Sequence, residues 1–261
     1  MSEISVPVRY YRFDTEGGLE LSERNFRHAE TTWKVPTNEA ALVLVDIWAE
    51  HPYTTHLERG AKITQEKIAP VVKACRKAGI TIVHAPSPSG AALYPQWTRY
   101  AAEKELFGAT GAADTWPPQE FRSRTGKYAH LKRPEESWRK AYTERIKARS
   151  IMKAVEPRPE DFVISTGEQL HRLLKHKKIT TLFFAGFAAN MCVLFRDYGV
   201  YAMYQRGYGT ILLRDGTAAI EANDTFDDWG LTKAAVLSVE MCFGQSATSD
   251  ALISACREAR S

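Results

Sequence analysis

The 261-residue sequence has no long apolar run, no cysteine-rich motif and no strong excess of one charge sign. No stretch approaches the roughly 18 apolar residues of a membrane span, and the N-terminus shows no basic-then-apolar signal pattern. The four cysteines stand far apart without a C-x-x-C pair, which argues against a disulfide framework or a zinc ribbon. We therefore expect a protein of a reducing, cytoplasmic setting without a membrane partner.

The charge distribution argues against a nucleic-acid partner. Lys and Arg number 35 against 31 Asp and Glu, and the resulting net charge of +4 is spread along the chain. Its densest cluster, residues 175–178, falls at the C-terminus of a predicted helix, where cations are favoured in any case. With 44% hydrophobic and 25% charged residues, the composition is that of a globular domain, and a small molecule is the partner we expect.

Short buried runs alternate with helical patterns along most of the chain. Apolar runs predict strands at 41–46, 80–84, 161–165, 180–184 and 209–214, followed by a short edge strand. Helical spacing at 63–78, 167–177 and 231–243 fills the connections between them. This alternation predicts an α/β fold, a three-layer, open and mostly parallel sheet of order 3-2-1-4-5 plus the edge strand, with helices on both faces.

Two segments depart from this alternation. Residues 1–38 are polar and aromatic, and we interpret them as an N-terminal arm that lies on the core or on a second subunit of a homo-oligomer. Residues 39–261 form a single predicted domain. Its residues 85–156, rich in Pro, Gly, Trp and charge, predict a lid-like excursion over the carboxyl edge of the sheet.

The predicted topology brings Asp46 and Cys192 together. In open parallel sheets, ligands bind where the strand order reverses, and strands one and four end there in Asp46 and near Cys192. Asn190 offers an N-cap to a helix that begins at the cysteine. Helix-start N–H groups and the helix dipole favour a thiolate, so we expect a lowered pKa for Cys192. The alternative is a small buried residue that packs a helix against a strand.

Three segments resemble one known family. They are LVLVDIW, which contains Asp46, AGFAANMCVLFRDYG, which contains Cys192, and the strand GYGTILLRDGTAAIE. They resemble the isochorismatase-like cysteine hydrolases, which include nicotinamidases and other small-amide hydrolases, over most of residues 41–253 apart from the excursion. The resemblance implies a small-molecule hydrolase that cleaves a C–N bond.

The resemblance also implies roles for individual residues. Asp46 would act as general base on the Cys192 thiol and later as proton donor to the leaving amine, and Cys192 would form a thioester. In the family a cis peptide bond lies at the position that matches Phe187–Ala188. It would direct the N–H groups of Ala188 and Cys192 at the oxyanion, with a contribution of about 3 kcal/mol per donor.

The family's catalytic lysine is missing from its usual place, because the third strand runs directly into the next helix. We consider three explanations. A lysine of the excursion fills the space (Lys127, Lys132, Lys147 or Lys153), polar residues at the helix start line the site (Thr166, Glu168 or His171), or the site is silent. Arg196 and Asp197 are expected to pair structurally with neighbouring elements.

A metal or other cofactor is not predicted. Nicotinamidases of the family hold a metal with an aspartate and histidines, but His51, His56 and His84 are not accompanied by an Asp-x-His pair. His51, His84 and Asn190 remain candidate site-lining residues. The alternatives to amide hydrolysis are a vinyl-ether hydrolase of the isochorismatase type, which needs the aspartate but no nucleophile, and a catalytically silent ligand-binding or scaffold protein.

Overall fold

The computed structural model describes residues 2–107, 116–145 and 149–259. Within them, eight strands form one sheet of order β2-β1-β8-β7-β6-β3-β4-β5. The strands are β1 (Glu3–Arg12), β2 (Arg27–Pro36), β3 (Ala40–Val45), β4 (Thr81–Ala85), β5 (Phe162–Val163), β6 (Thr181–Phe187), β7 (Gly209–Ala218) and β8 (Gln245–Ala247).

The centre of the sheet is parallel and has the predicted order. The strand β3 pairs in parallel with β4 on one side and β6 on the other, while β5 and β7 extend the sheet in parallel outwards. The short β8 pairs in parallel with β7. Strand β3 is buried along its whole length, as expected for a strand covered on both faces. The predicted α/β class is confirmed.

The N-terminal segment enlarges this sheet. Strands β1 and β2 pair in an antiparallel hairpin, and β1 joins β8 through the pair Arg9 and Ser246. The buried carboxylate of Glu240 accepts hydrogen bonds from Arg9 at 2.8 Å and pairs with His28 at 2.9 Å. The segment therefore extends the sheet beyond the strand that was predicted to be its edge.

Helices cover both faces of the sheet. One hydrophobic cluster includes residues of α2 and α10, and a second includes residues of α7, α8 and α9. The helices of the part of the chain that contains the sheet, Met1–Tyr100 with Ala148–Ser261, are α1 (Thr54–Ile63), α2 (Ala69–Ala78), α3 (Pro88–Ala91), α7 (Gly167–Lys177), α8 (Val200–Gln205), α9 (Gly230–Ser238) and α10 (Ser249–Glu258). π-Helical turns lie at Thr64–Ile68, Ala189–Val193 and Val239–Phe243.

The chain divides into two compact units. The sheet and its helices belong to Met1–Tyr100 with Ala148–Ser261, and Ala101–Lys147 is the other unit. The second unit contains α4 (Glu103–Phe107), α5 (Gln119–Arg122) and α6 (Ser137–Arg145). The two ends of the predicted excursion thus belong to the sheet-containing unit. Among the described helices, none combines the length and the apolar character that a membrane crossing requires.

Candidate active site

Asp46 occupies a buried position at the carboxyl end of the central strand. It directly follows β3, its side chain is fully buried, and its φ of 47° is unusual for a residue other than glycine. Its backbone N–H donates to the carbonyl of Ala85 at 3.1 Å, which holds this turn against β4. The backbone conformation therefore fixes the carboxyl group inside the protein rather than toward solvent.

Cys192 lies on the π-helical turn that follows β6. Its thiol is half-buried and interacts with the carboxyl group of Asp46. The Phe187–Ala188 peptide bond just before the turn is cis, as the family resemblance implies. The carbonyl of Ala188 accepts hydrogen bonds from the N–H groups of Met191 and Val193 at 3.1 and 3.2 Å, which closes the turn around the cysteine.

Asn190 does not cap a helix, contrary to the prediction from its position before the cysteine. Its side-chain N–H donates to the carbonyl of Ile220 at 3.1 Å, and its side-chain oxygen accepts the N–H of Ile220 at 3.2 Å. A π-helical turn begins one residue earlier, at Ala189, with Ala188 as the preceding residue. Asn190 therefore ties the cysteine turn to the segment that follows β7.

The pKa of Cys192 moves in the opposite direction from the one predicted. Burial and, after it, the Asp46 carboxylate raise the pKa of this thiol to about 12, against the opposing effect of Arg196. The expected thiolate at a helix start was wrong because a single short turn supplies a weak dipole, whereas desolvation and a neighbouring anion both disfavour negative charge on the sulfur. The resting side chain is a neutral thiol.

The carboxyl group of Asp46 is destabilised as an anion as well. Burial raises the pKa of Asp46 above its ordinary value, and the Cys192 thiol, the Arg196 charge and the Trp48 side chain oppose this effect. Both carboxyl oxygens are buried and lack a partner in full hydrogen-bond geometry among the described residues. A carboxylate in this state is poised to accept a proton from a neighbouring donor.

Arg196 supplies positive charge to this pair. Its guanidinium Nη2 lies 3.9 Å from Asp46 Oδ2, and its side chain also interacts with the Cys192 sulfur. Its backbone N–H donates to the carbonyl of Cys192 at 3.1 Å, so residues 192 and 196 are one helical turn apart. The sequence interpretation favoured a structural role for Arg196 over a catalytic one; the spacing of four residues places it on the same side of the turn as the cysteine but does not show that this side meets Asp46.

The polar residues proposed to replace the missing lysine take part in other interactions. Thr166 caps α7 by accepting the N–H of Gln169, and Glu168 pairs with Arg206. His171 Nδ1 lies 2.8 Å from the Tyr208 hydroxyl. These contacts engage the start of α7 and the neighbouring chain, and none of them involves Asp46 or Cys192.

The candidate lysines divide by location. Lys153 is exposed on a short 3₁₀ turn of the sheet-containing unit. Lys127 and Lys132 belong to the second compact unit. Lys147 lies outside the described residues. Arg196 is the cation that the described residues show beside Asp46 and Cys192.

Aromatic and imidazole rings continue from the site along the segment after β3. The ring of His51 stacks on Trp48 at 4.9 Å between centroids, and His56 meets the edge of Phe187 at 6.0 Å. Burial lowers the pKa of both histidines to about 4, with adjacent positive groups adding to the effect. Both imidazoles are therefore neutral near pH 7, and His51 lies with Trp48 beside the Asp46 turn.

His84 belongs to a separate buried network. Its Nε2 lies 3.3 Å from Asp161 Oδ2, and Asp161 also pairs with Arg76. These contacts hold the end of β4 against α2 and the chain before β5. His84 is therefore a structural residue of the sheet and does not contact Asp46 or Cys192 in the described interactions.

These histidines do not fit the metal site that nicotinamidases imply. The Nδ1 lone pair of His51 already accepts the N–H of Tyr53 at 3.1 Å, and His84 is engaged with Asp161. In the part of the chain that the structure describes, no group of three or more His, Cys, Asp or Glu side chains is arranged to hold a metal ion.

Gly186 allows the two site-bearing strands to approach each other. Its φ is 126°, and a Cβ atom at this position would lie 1.9 Å from the carbonyl oxygen of Val45. Only glycine fits both the backbone conformation and the space. This contact brings the end of β6, which leads to Cys192, against the end of β3, which leads to Asp46.

Comparison with known proteins agrees with this architecture. The sequence model of the isochorismatase domain matches residues 40–241, well over half of the chain. The chain belongs to the isochorismatase family. No curated protein matches the sequence of this family member.

Solved structures of the isochorismatase family share the fold at low identity. A cysteine hydrolase from Pseudomonas syringae pv. phaseolicola 1448A is 18% identical with a TM-score of 0.56, over 87% of this chain and 96% of its own. An isochorismatase-family protein from Chromobacterium violaceum ATCC 12472 is 15% identical with a TM-score of 0.51, over 85% and 95%. At these identities the likeness concerns the fold.

Proposed function

We propose that this isochorismatase-family protein is a hydrolase that cleaves a C–N bond of a small amide through a Cys192 thioester. The observation that carries the proposal is a half-buried thiol in contact with a fully buried carboxyl group, with a guanidinium 3.9 Å from that carboxyl group. A nucleophile, a base and an electrostatic partner are the groups that covalent acyl transfer requires.

In the first half of the reaction, the Cys192 sulfur attacks the substrate carbonyl carbon while Asp46 takes the thiol proton. A C–S bond forms, and the carbonyl oxygen becomes an oxyanion, which the N–H groups of Ala188 and Cys192 are proposed to stabilise. The C–N bond then breaks, Asp46 returns the proton to the departing nitrogen, and ammonia or an amine leaves. The thioester remains on Cys192.

In the second half, Asp46 acts on water. The carboxylate takes a proton from a water molecule as the oxygen attacks the thioester carbonyl carbon. The C–S bond breaks, the proton passes to the departing sulfur, and a carboxylic acid leaves. The protein returns to a neutral thiol beside a carboxylate, the state in which it started.

Arg196 takes the electrostatic role that a lysine holds in the family. Its positive charge favours the anionic form of Asp46 and opposes the rise in the pKa of Cys192. Burial disfavours both the Asp46 carboxylate and the Cys192 thiolate, so the two residues together hold one proton. The charge of Arg196 lets that proton pass from Cys192 to Asp46 during the attack. Thiol activation is therefore coupled to substrate attack instead of preceding it.

The test is a panel of small primary and secondary amides incubated with the purified protein. Release of ammonia or amine, together with an acyl adduct on Cys192 by intact and peptide mass spectrometry, would support the proposal. Cys192→Ala should lower turnover by about a thousandfold or more, since the variant lacks the sulfur that forms the acyl intermediate.

The outcomes separate the alternatives. If Cys192→Ala retains turnover of a vinyl ether while Asp46→Asn does not, the protein is a hydrolase of the isochorismatase type. If neither amides nor vinyl ethers turn over and ligands still bind, the protein is a silent binding protein. Amide turnover that survives the loss of the Cys192 sulfur would refute the thioester.

A further inference from the structure

Two cysteines outside the candidate active site lie on helices that pack against each other. Cys75 is on α2 and Cys256 on α10, and both belong to the hydrophobic cluster on one face of the sheet. Their side chains are 0% and 1% exposed. The proposed amide hydrolysis uses neither residue.

The two thiols lie within interaction range of each other. Each is among the groups that shift the pKa of the other. A disulfide requires the two sulfurs to approach to about 2.05 Å, with Cβ atoms about 4 Å apart. Two side chains that already interact across packed helices are candidates for such a bond.

One member of the pair borders a cavity. Cys256 lines a cavity of about 720 Å³ on this face of the protein, whereas Cys75 is not among its lining residues. Lys73, Lys77 and Arg257 also line it, so its walls are strongly basic. Cys256 therefore borders the cavity, whereas Cys75 does not.

The interaction makes the two sulfurs unequal in acidity. It lowers the pKa of Cys256 and raises the pKa of Cys75, although burial opposes the effect at Cys256. The thiol of lower pKa that also borders a cavity is the better first target of an oxidant, and the buried neighbour is placed to resolve the product.

We propose that Cys75 and Cys256 form a reversible intramolecular disulfide when the protein meets a peroxide. The Cys256 sulfur attacks one peroxide oxygen, the O–O bond breaks, and a sulfenic acid and water form. The Cys75 sulfur then attacks the Cys256 sulfur, the S–O bond breaks, and a second water leaves. In sum, hydrogen peroxide and two thiols give one disulfide and two waters.

The disulfide would bond α10 covalently to α2. The bond closes a loop from residue 75 to residue 256, well over half of the 261-residue chain. Cross-links over long loops restrict the unfolded chain most strongly. We therefore expect the oxidised protein to melt about 5 °C or more above the reduced protein, and dithiothreitol to reverse the change.

The experiment uses the full chain carrying Cys242→Ser and millimolar hydrogen peroxide. This substitution removes an exposed thiol that shares one tryptic peptide, residues 234–257, with Cys256. The expected product loses about 2 Da, keeps one of its three thiols titratable after denaturation, and yields peptide 74–76 joined to peptide 234–257. Three titratable thiols, or a bond that includes Cys192, would overturn the proposal.

Single variants test the order of the two steps. Cys75→Ser should leave Cys256 as a sulfenic acid that dimedone traps, whereas Cys256→Ser should leave Cys75 unmodified by the same treatment. Equal trapping at both positions would contradict the assignment of Cys256 as the first target. If either variant fails to fold, the peptide map of the protein with both cysteines still decides whether the bond forms.

Discussion

At the scale of single residues, burial determines the ionisation state of the candidate nucleophile. The pKa of Cys192 is raised to about 12 by burial and then by the charge of Asp46. Asp46→Asn removes this negative charge and leaves Arg196 in place. We expect the pKa of Cys192 to fall, and alkylation by iodoacetamide at pH 8 to become about tenfold faster or more.

The same substitution should have the opposite effect on catalysis. The variant lacks the carboxylate that is proposed to take the thiol proton, and amide turnover should fall by roughly 10²- to 10⁴-fold. Asp250→Asn, which alters an exposed carboxylate near Lys67, is the matched control and should leave both rates unchanged. Slower alkylation in Asp46→Asn than in the parent protein would contradict the assigned electrostatics.

Arg196 offers a second prediction at this scale. Its guanidinium favours the Asp46 anion, which must be ionised to act as a base. Removal of the charge in Arg196→Met should raise the pKa of Asp46 further, so the acidic limb of the kcat/KM profile should move to higher pH by about one unit. Arg196→Lys should restore most of the profile.

A matched control distinguishes this role from a structural one. Arg206→Met removes an arginine that pairs with Glu168, and it should leave the pH profile in place. An Arg196→Met protein whose acidic limb stays at the parent pH would show that Arg196 serves packing alone.

The sequence predicted part of this site for physical reasons. Asp46 and Cys192 follow from topology, because the strands before them end at the same edge of a parallel sheet. Arg196 could not be assigned, since its four-residue spacing from the cysteine does not reveal which way the turn faces. The predicted direction of the Cys192 pKa shift was wrong for a related reason. The sequence indicates where a helical turn and its dipole lie, but it does not show how deeply the thiol is buried.

At the scale of secondary-structure elements, the contact between β6 and β3 supports the geometry of the site. Gly186→Ala would place a Cβ atom against the carbonyl of Val45 at a φ that side chains rarely adopt. We expect the unfolding free energy, measured by urea titration, to fall by about 2 kcal/mol or more. The fraction of activity lost should exceed the fraction of stability lost.

Gly17→Ala is the control for this prediction. A Cβ atom at Gly17 meets nothing within 4 Å, so its unfolding free energy should change by less than about 0.5 kcal/mol. If Gly186→Ala is as stable as Gly17→Ala, the strands do not depend on the close contact.

The sequence predicted the central elements better than the N-terminal ones. Helix α7 has its predicted bounds, because its leucines repeat at helical spacing and Thr166 caps it. Strand β1 carries the alternation of buried Ile4, Val6 and Val8, but the intervening Pro7 and the charged surroundings obscured it. Its pairing with β8 is a long-range contact that local pattern cannot show.

At the scale of the whole molecule, buried ionisable groups make stability depend on pH. His56 has a pKa of about 4 in the folded protein and about 6.5 when unfolded. Between these values the unfolded chain binds a proton that the folded chain does not, so stability falls as the pH drops from 6.5 to 4. The loss from this residue should be about 2 to 3 kcal/mol.

Asp161 extends the loss to lower pH. Its hydrogen bonds with His84 and Arg76 outweigh its burial and lower its pKa to about 2. The contribution of Asp161 to stability is therefore fully present above its unfolded pKa of about 3.9, and it is lost as the pH falls through 2. Urea unfolding at several pH values should show both decreases in stability.

His56→Phe separates the two effects. It keeps the ring contact with Phe187 and removes one of two imidazoles with a pKa of about 4, so it should reduce the decrease in stability between pH 6.5 and 4 by about half, the rest being due to His51, and leave the lower decrease in place. His130→Phe, at an exposed site of the second unit, is the control and should not change the slope. Equal slopes in both variants would contradict the assigned origin.

The N-terminal hairpin has a consequence for how copies of the protein behave at high concentration. A parallel sheet that ended at β8 would offer unpaired amide groups as a template for cross-β growth. In the described sheet, the edge strand on the β8 side is instead β2, whose exposed residues include Arg27, His28, Glu30 and Lys34. The opposite edge strand is β5, which has two residues. Charge at one edge of the sheet and the short length of the strand at the other both disfavour the addition of further strands, so we expect the N-terminal hairpin to lower the tendency to form fibrils.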